Sequence, residues 1–297
     1  MSNITGNAVA TVDSAISELS STLARVGVES PARAAADIVA ALLEVPRSWT
    51  SLNKLATLDS ETVLAARRAA EKLGRGAPFQ YAVGMASFRH LNLVVDERVL
   101  IPRPETEVLV GEILDRFENR FGDAPWGTAI DIGTGSGAIA LSLACEGRFE
   151  KVIATDASLD AVAVARENAA RSRAAARCEI EFRHGSFLAP VGAAKASVIV
   201  SNPPYVAFSE AEWLPASVRD WEPALALFTG GDGMKATAEI VRDSSRYLMS
   251  GGLLALEVDE RRASLVAELM MKHGDYRDVG VRLDLTGRER FVMAWRT

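Results

Sequence analysis

A chain of 297 residues can form one large α/β domain and a smaller second domain, and its 48% apolar and 24% charged residues are ordinary for a globular protein. The formal net charge of −6 argues against broad, sequence-independent binding to nucleic acid, which needs many cations on phosphates. No apolar run approaches the length that spans a membrane, and Met1–Gly6 lacks the basic and apolar regions of a signal peptide, so we expect a cytoplasmic protein without a membrane partner.

Residues 1–84 are predicted to form a small helical domain. An apolar stripe recurs at steps of three and four residues through positions 12–26, as in an amphipathic helix. Ser30 and Pro31 predict a second helix start, with the Ser30 side chain as its cap, and Asp59 opens a further helix. Two roles remain open for this domain, namely simple packing and a platform for a protein partner.

Residues 85–104 are predicted to form a β-hairpin linker between the two domains. Apolar residues alternate through positions 91–95, Asp96 and Glu97 offer a turn, and a second apolar run follows at 99–101.

Residues 105–297 alternate between strand-like and helix-like segments, which predicts a parallel sheet covered by helices on both faces. A late run, Arg290–Trp295, is predicted to be antiparallel at or near an edge. The histidines and cysteines are scattered without the spacing of metal ligands, so no metal site is expected. The strand-like runs before the last one are Thr128–Ile132, Lys151–Thr155, Glu179–Arg183, Ala196–Val200 and Leu253–Val258.

A glycine-rich turn follows the first of these strands and predicts a cofactor site. Glycines allow a sharp turn and let a ligand approach the backbone closely. The turn lacks the Gly-Lys-Ser/Thr ending of a phosphate-binding loop, which argues against a nucleoside triphosphate, while NAD stays open on the glycines alone. The next strand ends at Asp156, where a carboxylate would hold a ribose diol. The residues of the turn are Gly133, Thr134, Gly135, Ser136 and Gly137.

The acid Asp131, two positions before the first glycine, gives the turn a spacing that resembles motif I of class I S-adenosylmethionine (SAM) methyltransferases. This resemblance implies that the glycine turn packs against the methionine part of SAM and that Asp156 binds the ribose hydroxyls. Ser186 stands where related enzymes commonly have an Asp that contacts the adenine, and Phe187 could pack on the adenine face.

The fourth strand ends in Asn202, Pro203, Pro204 and Tyr205, and this loop is the predicted catalytic and substrate-binding site. Two prolines cannot continue a ladder, so they make a stiff loop at the carboxyl edge of the sheet. The Asn202 side-chain oxygen and the Pro203 carbonyl could hold both hydrogens of a planar nitrogen, with Tyr205 packed over the group. Such positioning needs no metal and suits methyl transfer to an amide or to adenine.

Several segments together resemble the bacterial protein-(glutamine-N5) methyltransferases that modify peptide chain release factors. The resemblance implies a Rossmann-like class I methyltransferase domain with a mostly parallel seven-stranded sheet, preceded by a small all-α domain that helps to dock the release factor. It also implies SAM as cofactor and the glutamine of a Gly-Gly-Gln motif as substrate. The segments are Ala77–Gly84, Val99–Glu107, Asp131–Gly137, Asn202–Tyr205, Trp221–Leu225, Gly230–Gly233 and Asp284–Arg290.

Two other functions compete with this hypothesis. An N6-adenine methyltransferase of DNA or RNA would use the same Asn202 loop on a flipped base, but the negative charge and the lack of a basic stripe argue for no direct nucleic-acid partner. A non-catalytic SAM-binding scaffold would have no physical need for the glycines, Asp156 and Asn202 together. A monomer is expected, because no exposed apolar repeat suggests an interface.

Overall fold

A computed structural model of the chain describes residues 10–297, so the prediction that rests on Met1–Gly6 lies outside the described residues. The chain divides into two compact units. Unit 1 holds the chain up to Met85 together with Ala216–Trp221, and unit 2 holds Ala86–Pro215 with Glu222–Thr297. Over residues 10–297, no helix is long and apolar enough to cross a membrane.

Unit 1 is a helical bundle whose apolar stripes meet in one core, with Leu19, Leu23 and Ile38 almost fully buried. It is not purely helical, because Ala10–Thr11 (β1) pairs antiparallel with Thr57–Leu58 (β2). A short helix at Ala216–Arg219 also belongs to this unit. Its other helices are α1 (Val12–Arg25), α2 (Pro31–Leu42), α3 (Arg47–Leu52), α4 (Ser60–Gly74) and α5 (Phe79–Val83).

The predicted helix starts in unit 1 are confirmed in position, but one cap is wrong. Asp59 accepts a hydrogen bond from the Thr62 amide and caps α4 as expected. Ser30 makes no side-chain cap for α2, because its backbone lies in the left-handed region with φ of 49°. Pro31 still occupies the first turn, where its fixed φ and missing N–H are tolerated.

A hairpin is present near the start of unit 2, but its predicted turn is wrong. The strands β3 (Met85–Phe88) and β4 (Leu91–Val94) pair with each other, and the turn falls at Arg89 and His90. Asp96 lies after the hairpin, where its carboxylate accepts the Arg98 amide in a tight loop. The alternation at 91–95 therefore belongs to the second arm, and the first arm lies upstream.

Unit 2 contains a seven-stranded sheet in the order β12-β13-β11-β8-β5-β6-β7, which confirms the predicted mostly parallel sheet. The five strands from β11 to β7 run parallel, whereas β13 is antiparallel to both of its neighbours. The edge strand β12 was not predicted. The strands are β5 (Thr128–Ile132), β6 (Lys151–Asp156), β7 (Glu179–His184), β8 (Ala196–Ser201), β11 (Leu248–Glu257), β12 (Tyr276–Leu283) and β13 (Glu289–Arg296). A separate parallel pair is formed by β9 (Val206–Ala207) and β10 (Phe228–Thr229).

The apolar core of unit 2 is formed by the central strands with helices packed against them, including the fully buried Ile130, Ile199 and Leu254. Parallel strands covered on both faces are apolar almost throughout, which is why the sequence marks them as short continuous runs. The helices are α6 (Pro104–Phe121), α7 (Ala138–Glu146), α8 (Leu159–Arg171), α9 (Ala224–Leu227), α10 (Lys235–Ser244) and α11 (Ala263–His273), with single 3₁₀ segments at Ala189–Val191 and Phe208–Trp213.

Candidate active site

The order of the strands brings the two predicted loops together. β5 lies between β8 and β6, so the chain passes to one side of β5 for β6 and β7 and to the other side for β8. Ile132 is paired in register with Ser201 on one side and with Thr155 on the other. The residues that follow these three positions therefore leave the sheet side by side at its carboxyl edge. This is the crevice where open parallel sheets bind their ligands.

The glycine turn is held from within. The carboxylate of Asp131 accepts hydrogen bonds from the Thr134 hydroxyl at 2.7 Å and from the Ala140 amide at 3.1 Å, which ties the turn to the first residues of α7. Asp131 is fully buried, and this burial raises its pKa to about 7. Gly133 and Gly135 have φ of 71° and 54°, and a Cβ added at either would meet no atom within 4 Å. The glycines thus leave open space in front of the backbone.

Asp156 lies beside this turn and fixes it from the neighbouring strand. Its carboxylate accepts the Gly135 amide at 2.9 Å and the Ser158 amide at 2.8 Å. Burial raises the pKa of Asp156, and the two amide hydrogen bonds counteract that rise in part. Ser158, rather than Asp156, caps α8 by accepting the Ala161 amide. Each carboxylate oxygen has two lone pairs, so the group keeps acceptor capacity for a diol.

The Asn202 side chain is held by residues that lie far away in the sequence. Its Nδ2 donates to the hydroxyl of Thr106 at 3.1 Å, and that hydroxyl donates to Oε2 of Glu257 at 2.6 Å. Thr106 lies in the first turn of α6, and Glu257 is the last residue of β11. Thr106 and Glu257 are both buried. Neither residue was predicted as part of the site, although an acid that ends an apolar strand was a usable signal.

Charged groups surround the buried Glu257. Burial raises its pKa to about 7, while the Thr106 hydrogen bond and the positive charge of Arg290 act in the opposite direction. Arg290 follows the turn between β12 and β13, where it lies 3.5 Å from the carboxylate of Asp284. Asp284 accepts from both the hydroxyl and the amide of Thr286, and these bonds lower its pKa to about 2. The turn thereby places a cation near the end of β11.

The backbone of Tyr205 is packed against a glycine in a later loop. A Cβ at Gly233 would lie 2.4 Å from the Tyr205 carbonyl oxygen and 2.7 Å from Nε of Arg262. Gly233 also has φ of 83°, so both the space and the backbone conformation require glycine there. Arg262 donates to the Asp232 carbonyl and to Glu210, which joins the loop to the segment after Tyr205. The Tyr205 phenol is half-buried, and its desolvation raises its pKa.

A mostly apolar cavity lies at this edge of the sheet and, counted with its open mouth, encloses about 870 Å³. Its wall is formed by Arg98–Leu100, Ile132 with Gly133 and Gly135, Asp156–Ser158, Ser186 with Phe187, Ser201–Pro204, and Pro223 with Leu225 and Ala226.

The cavity brings together part of the predicted site. The predicted residues on its wall are Gly133, Gly135, Asp156, Phe187, Asn202, Pro203 and Pro204. Thr134, Ser136, Gly137 and Tyr205 do not line it. Thr134 is used inside the turn by Asp131, and the Ser136 carbonyl accepts from Asn168, so both support the loop from behind.

One further pair joins two of the segments that carry the family resemblance. Arg103 donates to both oxygens of Glu222, at 2.6 and 2.8 Å. The Glu222 side chain is nearly inaccessible, and burial raises its pKa despite the cation. Arg103 stands just before α6, and Pro223 and Leu225 follow Glu222 on the cavity wall. The ion pair thus anchors this part of the wall, a role that the sequence did not reveal.

The residues present fit a nucleoside-containing cofactor such as SAM. Open space in front of Gly133 and Gly135 lets a ligand approach the backbone, and the half-buried Phe187 gives an aromatic side chain on the same wall. The carboxylate of Asp156 supplies an acceptor for hydroxyl groups. Among residues 10–297, no cluster of three or more His, Cys, Asp or Glu could hold a metal ion.

Comparison with known proteins identifies the family. Residues 14–84 match the family described as PrmC N-terminal domain, and residues 109–214 match the Methyltransferase small domain. A release factor glutamine methyltransferase of Moorella thermoacetica is 39% identical over 290 residues, which covers 96% of this chain and 99% of the relative. The chain belongs to the release factor glutamine methyltransferase family. A second relative of that name, from Rhodopirellula baltica, is 37% identical and covers 82% of this chain and 81% of its own length.

Solved structures agree on the fold of this family member. The catalytic domain of hMettl16, in complex with MAT2A 3′UTR hairpin 1, has a TM-score of 0.53 at 17% identity and covers 82% of this chain and 84% of its own. A methyltransferase from Pyrococcus furiosus has a TM-score of 0.51 at 19% identity, with 69% and 88% covered. At these identities the likeness concerns the class I methyltransferase fold alone, and it confirms the predicted fold class.

Proposed function

We propose that the protein transfers a methyl group from SAM to the side-chain amide nitrogen of the glutamine in the Gly-Gly-Gln motif of class-I peptide chain release factors. The observation that carries the proposal is the hydrogen bond from Asn202 Nδ2 to Thr106, which leaves the side-chain oxygen of Asn202 as the free acceptor at the cavity wall. Relatives at 37–39% identity carry the name release factor glutamine methyltransferase, which supports this choice of substrate.

The chemistry of the acceptor explains the need for this loop. An amide nitrogen is a weak nucleophile, because its lone pair is delocalised into the carbonyl. The Asn202 oxygen and the Pro203 carbonyl are proposed to accept the two hydrogens of the nitrogen. The lone pair of the nitrogen would then point into the cavity. Positioning of this kind lowers barriers by roughly 7–11 kcal/mol in favourable cases. Pro204 stiffens the loop, and Tyr205, which does not line the cavity itself, is proposed to pack over the planar amide beside Asn202.

The other half of the cavity is proposed to hold the cofactor. The turn with Gly133 and Gly135 would contact its methionine part, Asp156 its ribose hydroxyls and Phe187 its adenine. SAM supplies an electrophilic methyl group on its sulfonium when it is bound. Once the nitrogen carries the methyl group, its proton becomes acidic and can pass to solvent without a strong base. We assign Thr134, Ser136 and Gly137 a supporting role in the shape of the turn.

The two units suggest a division of labour. Unit 1 is proposed to help dock the release factor, and the match of residues 14–84 to PrmC N-terminal domain supports this role. Because translation factors work in the cytoplasm, we place the activity there. A monomer and the absence of a nucleic-acid partner remain predictions.

The proposal is tested by measuring which macromolecule receives the labelled methyl group. The protein is incubated with SAM labelled in its methyl group and, in parallel, with a purified class-I release factor, duplex DNA or RNA. Label on the release factor, lost when its Gly-Gly-Gln glutamine is replaced by alanine, is the expected result. Label on nucleic acid and none on the release factor would instead favour the adenine reaction, and no label anywhere would favour a non-catalytic scaffold.

A further inference from the structure

The carboxamide of asparagine can be placed in two ways that differ by a half turn. In one, the oxygen faces the cavity, and in the other the NH₂ group does. Only the first can accept a hydrogen from a substrate amide, because the second would bring two donors together. The shape of the Asn202 pocket cannot select between them, since oxygen and NH₂ are nearly equal in size. The selection must come from the hydrogen-bonding partners.

A hydroxyl partner alone would not favour one orientation of the Asn202 carboxamide over the other. The Thr106 hydroxyl can accept from the NH₂ group of Asn202, or it can donate to the oxygen of Asn202. The direction of the hydroxyl is decided by its second hydrogen-bonding partner. Oε2 of Glu257 lies 2.6 Å away, and an ionised carboxylate can only accept. While Glu257 is ionised, the Thr106 proton is committed to it, and the lone pair of the hydroxyl is left for Asn202 Nδ2 at 3.1 Å.

We propose that Thr106 and Glu257 are positioning residues that fix the orientation of the Asn202 carboxamide, so that its oxygen faces the substrate nitrogen. The inference rests on the role proposed above for Asn202. Both residues are buried, with exposures of 4% for Thr106 and 1% for Glu257, so bulk water has little access to the hydrogen bond between them. Thr106 stands in the first turn of α6, where the helix dipole favours the negative charge that it contacts.

The charges around Glu257 affect the same chain of hydrogen bonds, because they change the protonation of its carboxyl group. Arg290 on β13 and Arg103 before α6 favour its ionised form, Glu105 in α6 opposes it, and the phenol of Tyr205 lies within electrostatic reach. Since burial raises the pKa of Glu257 to about 7, the acid protonates at mildly low pH. A protonated Glu257 can donate to Thr106, and the whole chain of hydrogen bonds can then reverse.

The inference is tested with four variants assayed for transfer to a release factor. Thr106→Val removes the hydroxyl and keeps the shape, Thr106→Ser keeps the hydroxyl, and Glu257→Gln removes the charge. Ser244→Ala is the matched control, because it deletes a buried hydroxyl that only bonds its own helix at Ile240. Thr106→Val is expected to lower kcat by roughly 10- to 100-fold, the cost seen when the outer partner of a metal-binding side chain is removed. Thr106→Ser and Ser244→Ala are expected to stay within about threefold of wild type.

Three measurements distinguish a positioning role of Thr106 and Glu257 from a purely structural one. The Kd for SAM, measured by calorimetry, and the Tm should be nearly equal in Thr106→Val and Ser244→Ala. Adding Thr106→Val to Asn202→Ala should slow the enzyme no further, because the orientation of a missing carboxamide has no effect. The kcat of wild type should fall as pH drops below about 7, and Glu257→Gln should lack this acid limb.

The orientation can also be observed without activity, in protein isotopically labelled at asparagine side-chain nitrogens. The NMR signal of the Asn202 NH₂ should shift in Thr106→Val and remain unchanged in Ser244→Ala. A Thr106→Val enzyme with wild-type kcat, an additive double variant, an acid limb that survives in Glu257→Gln or an unshifted Asn202 signal would each overturn the inference. Failure of the proposed function is a different result, namely that the wild-type protein labels no release factor.

Discussion

The glycine turn and the Asn202 loop leave neighbouring strands of one sheet, yet they are held in different ways. The glycine turn is braced by residues close to it in sequence, since Asp131 bonds Thr134 and Ala140 within nine residues and Asp156 of the next strand bonds Gly135, 21 residues before it. The Asn202 side chain depends on Thr106, 96 residues before it, and Thr106 in turn on Glu257, 151 residues later. The first loop therefore depends on two consecutive strands, β5 and β6, whereas the Asn202 side chain depends on elements far apart in sequence, α6 and β11.

The two loops are proposed to have separate functions. The turn with Gly133 offers open space and the acceptor Asp156, which suits holding a cofactor. The Asn202 loop offers oriented acceptors, which suit a substrate nitrogen. We therefore expect changes in the glycine turn to alter the affinity for SAM, and changes in the Asn202 loop to alter turnover.

The largest effect is expected for Asn202→Ala, which removes one of the two acceptors for the substrate amide. We expect kcat to fall by roughly 10²–10³-fold, as for the loss of one positioned hydrogen-bonding group in other enzymes. The Kd for SAM should change little. Single-turnover label transfer measures the first and calorimetry the second, and near-normal turnover would reject the role of Asn202.

The opposite pattern is expected for Asp156→Ala. Loss of a charged acceptor is expected to weaken SAM binding by roughly 10- to 100-fold, the equivalent of a hydrogen bond to a charged group. At saturating SAM, kcat should stay close to wild type. Asp156→Asn is the matched variant, because it keeps one acceptor for the Gly135 amide. An unchanged Kd in Asp156→Ala would rule out the ribose contact and remove the contrast between the loops.

A smaller effect, on stability, is expected where the Asn202 loop meets its support. Gly233→Ala would place a methyl group 2.4 Å from the Tyr205 carbonyl, so we expect the free energy of unfolding to fall by roughly 1–3 kcal/mol. Gly274→Ala is the control, since Gly274 has a similar φ of 86° but no atom within 4 Å of the added Cβ. Urea unfolding compares the two variants. Equal losses would show that φ alone matters and that the Tyr205 contact does not.

A further effect on stability is expected from the pH dependence of the glycine turn. Because burial raises the pKa of Asp131 to about 7, the folded state holds a proton that the unfolded state has already released. The contribution of Asp131 to stability is complete below its ordinary pKa of 3.8 and is lost as pH rises through about 7. Asp131→Asn should flatten the dependence of unfolding free energy on pH across this window. An unchanged slope in urea titrations would show that Asp131 does not carry the effect.

The same contrast explains what the sequence could predict. The strand Thr128–Ile132, its glycine turn and the apolar strand before Asn202 were predictable because their signals are local: short apolar runs, glycines and prolines. Thr106 and Glu257 were not, since their meeting depends on how α6 and β11 pack in three dimensions. The edge strand Tyr276–Leu283 was missed because its exposed Arg277, Asp278 and Arg282 interrupt the apolar alternation.

The prediction of a hairpin turn at Asp96 and Glu97 failed for a related reason. Both residues favour turns, and they do lie in a loop, but the loop follows the hairpin. The true turn, at Arg89 and His90, has no glycine or proline to mark it, and Arg89 takes a positive φ of 51°. Its guanidinium binds Glu146 of α7 at 2.6–2.7 Å, a long-range contact that accompanies the unusual backbone and that the local sequence does not show.

The most direct test of the account is to locate the methyl group by mass spectrometry. A purified class-I release factor is treated with the protein and SAM, digested, and compared with a sample treated with Asn202→Ala. The account predicts one added methyl group on the side-chain nitrogen of the Gly-Gly-Gln glutamine, present with the wild-type protein and nearly absent with the variant. A methyl group on another residue, or equal methylation by the two proteins, would contradict it.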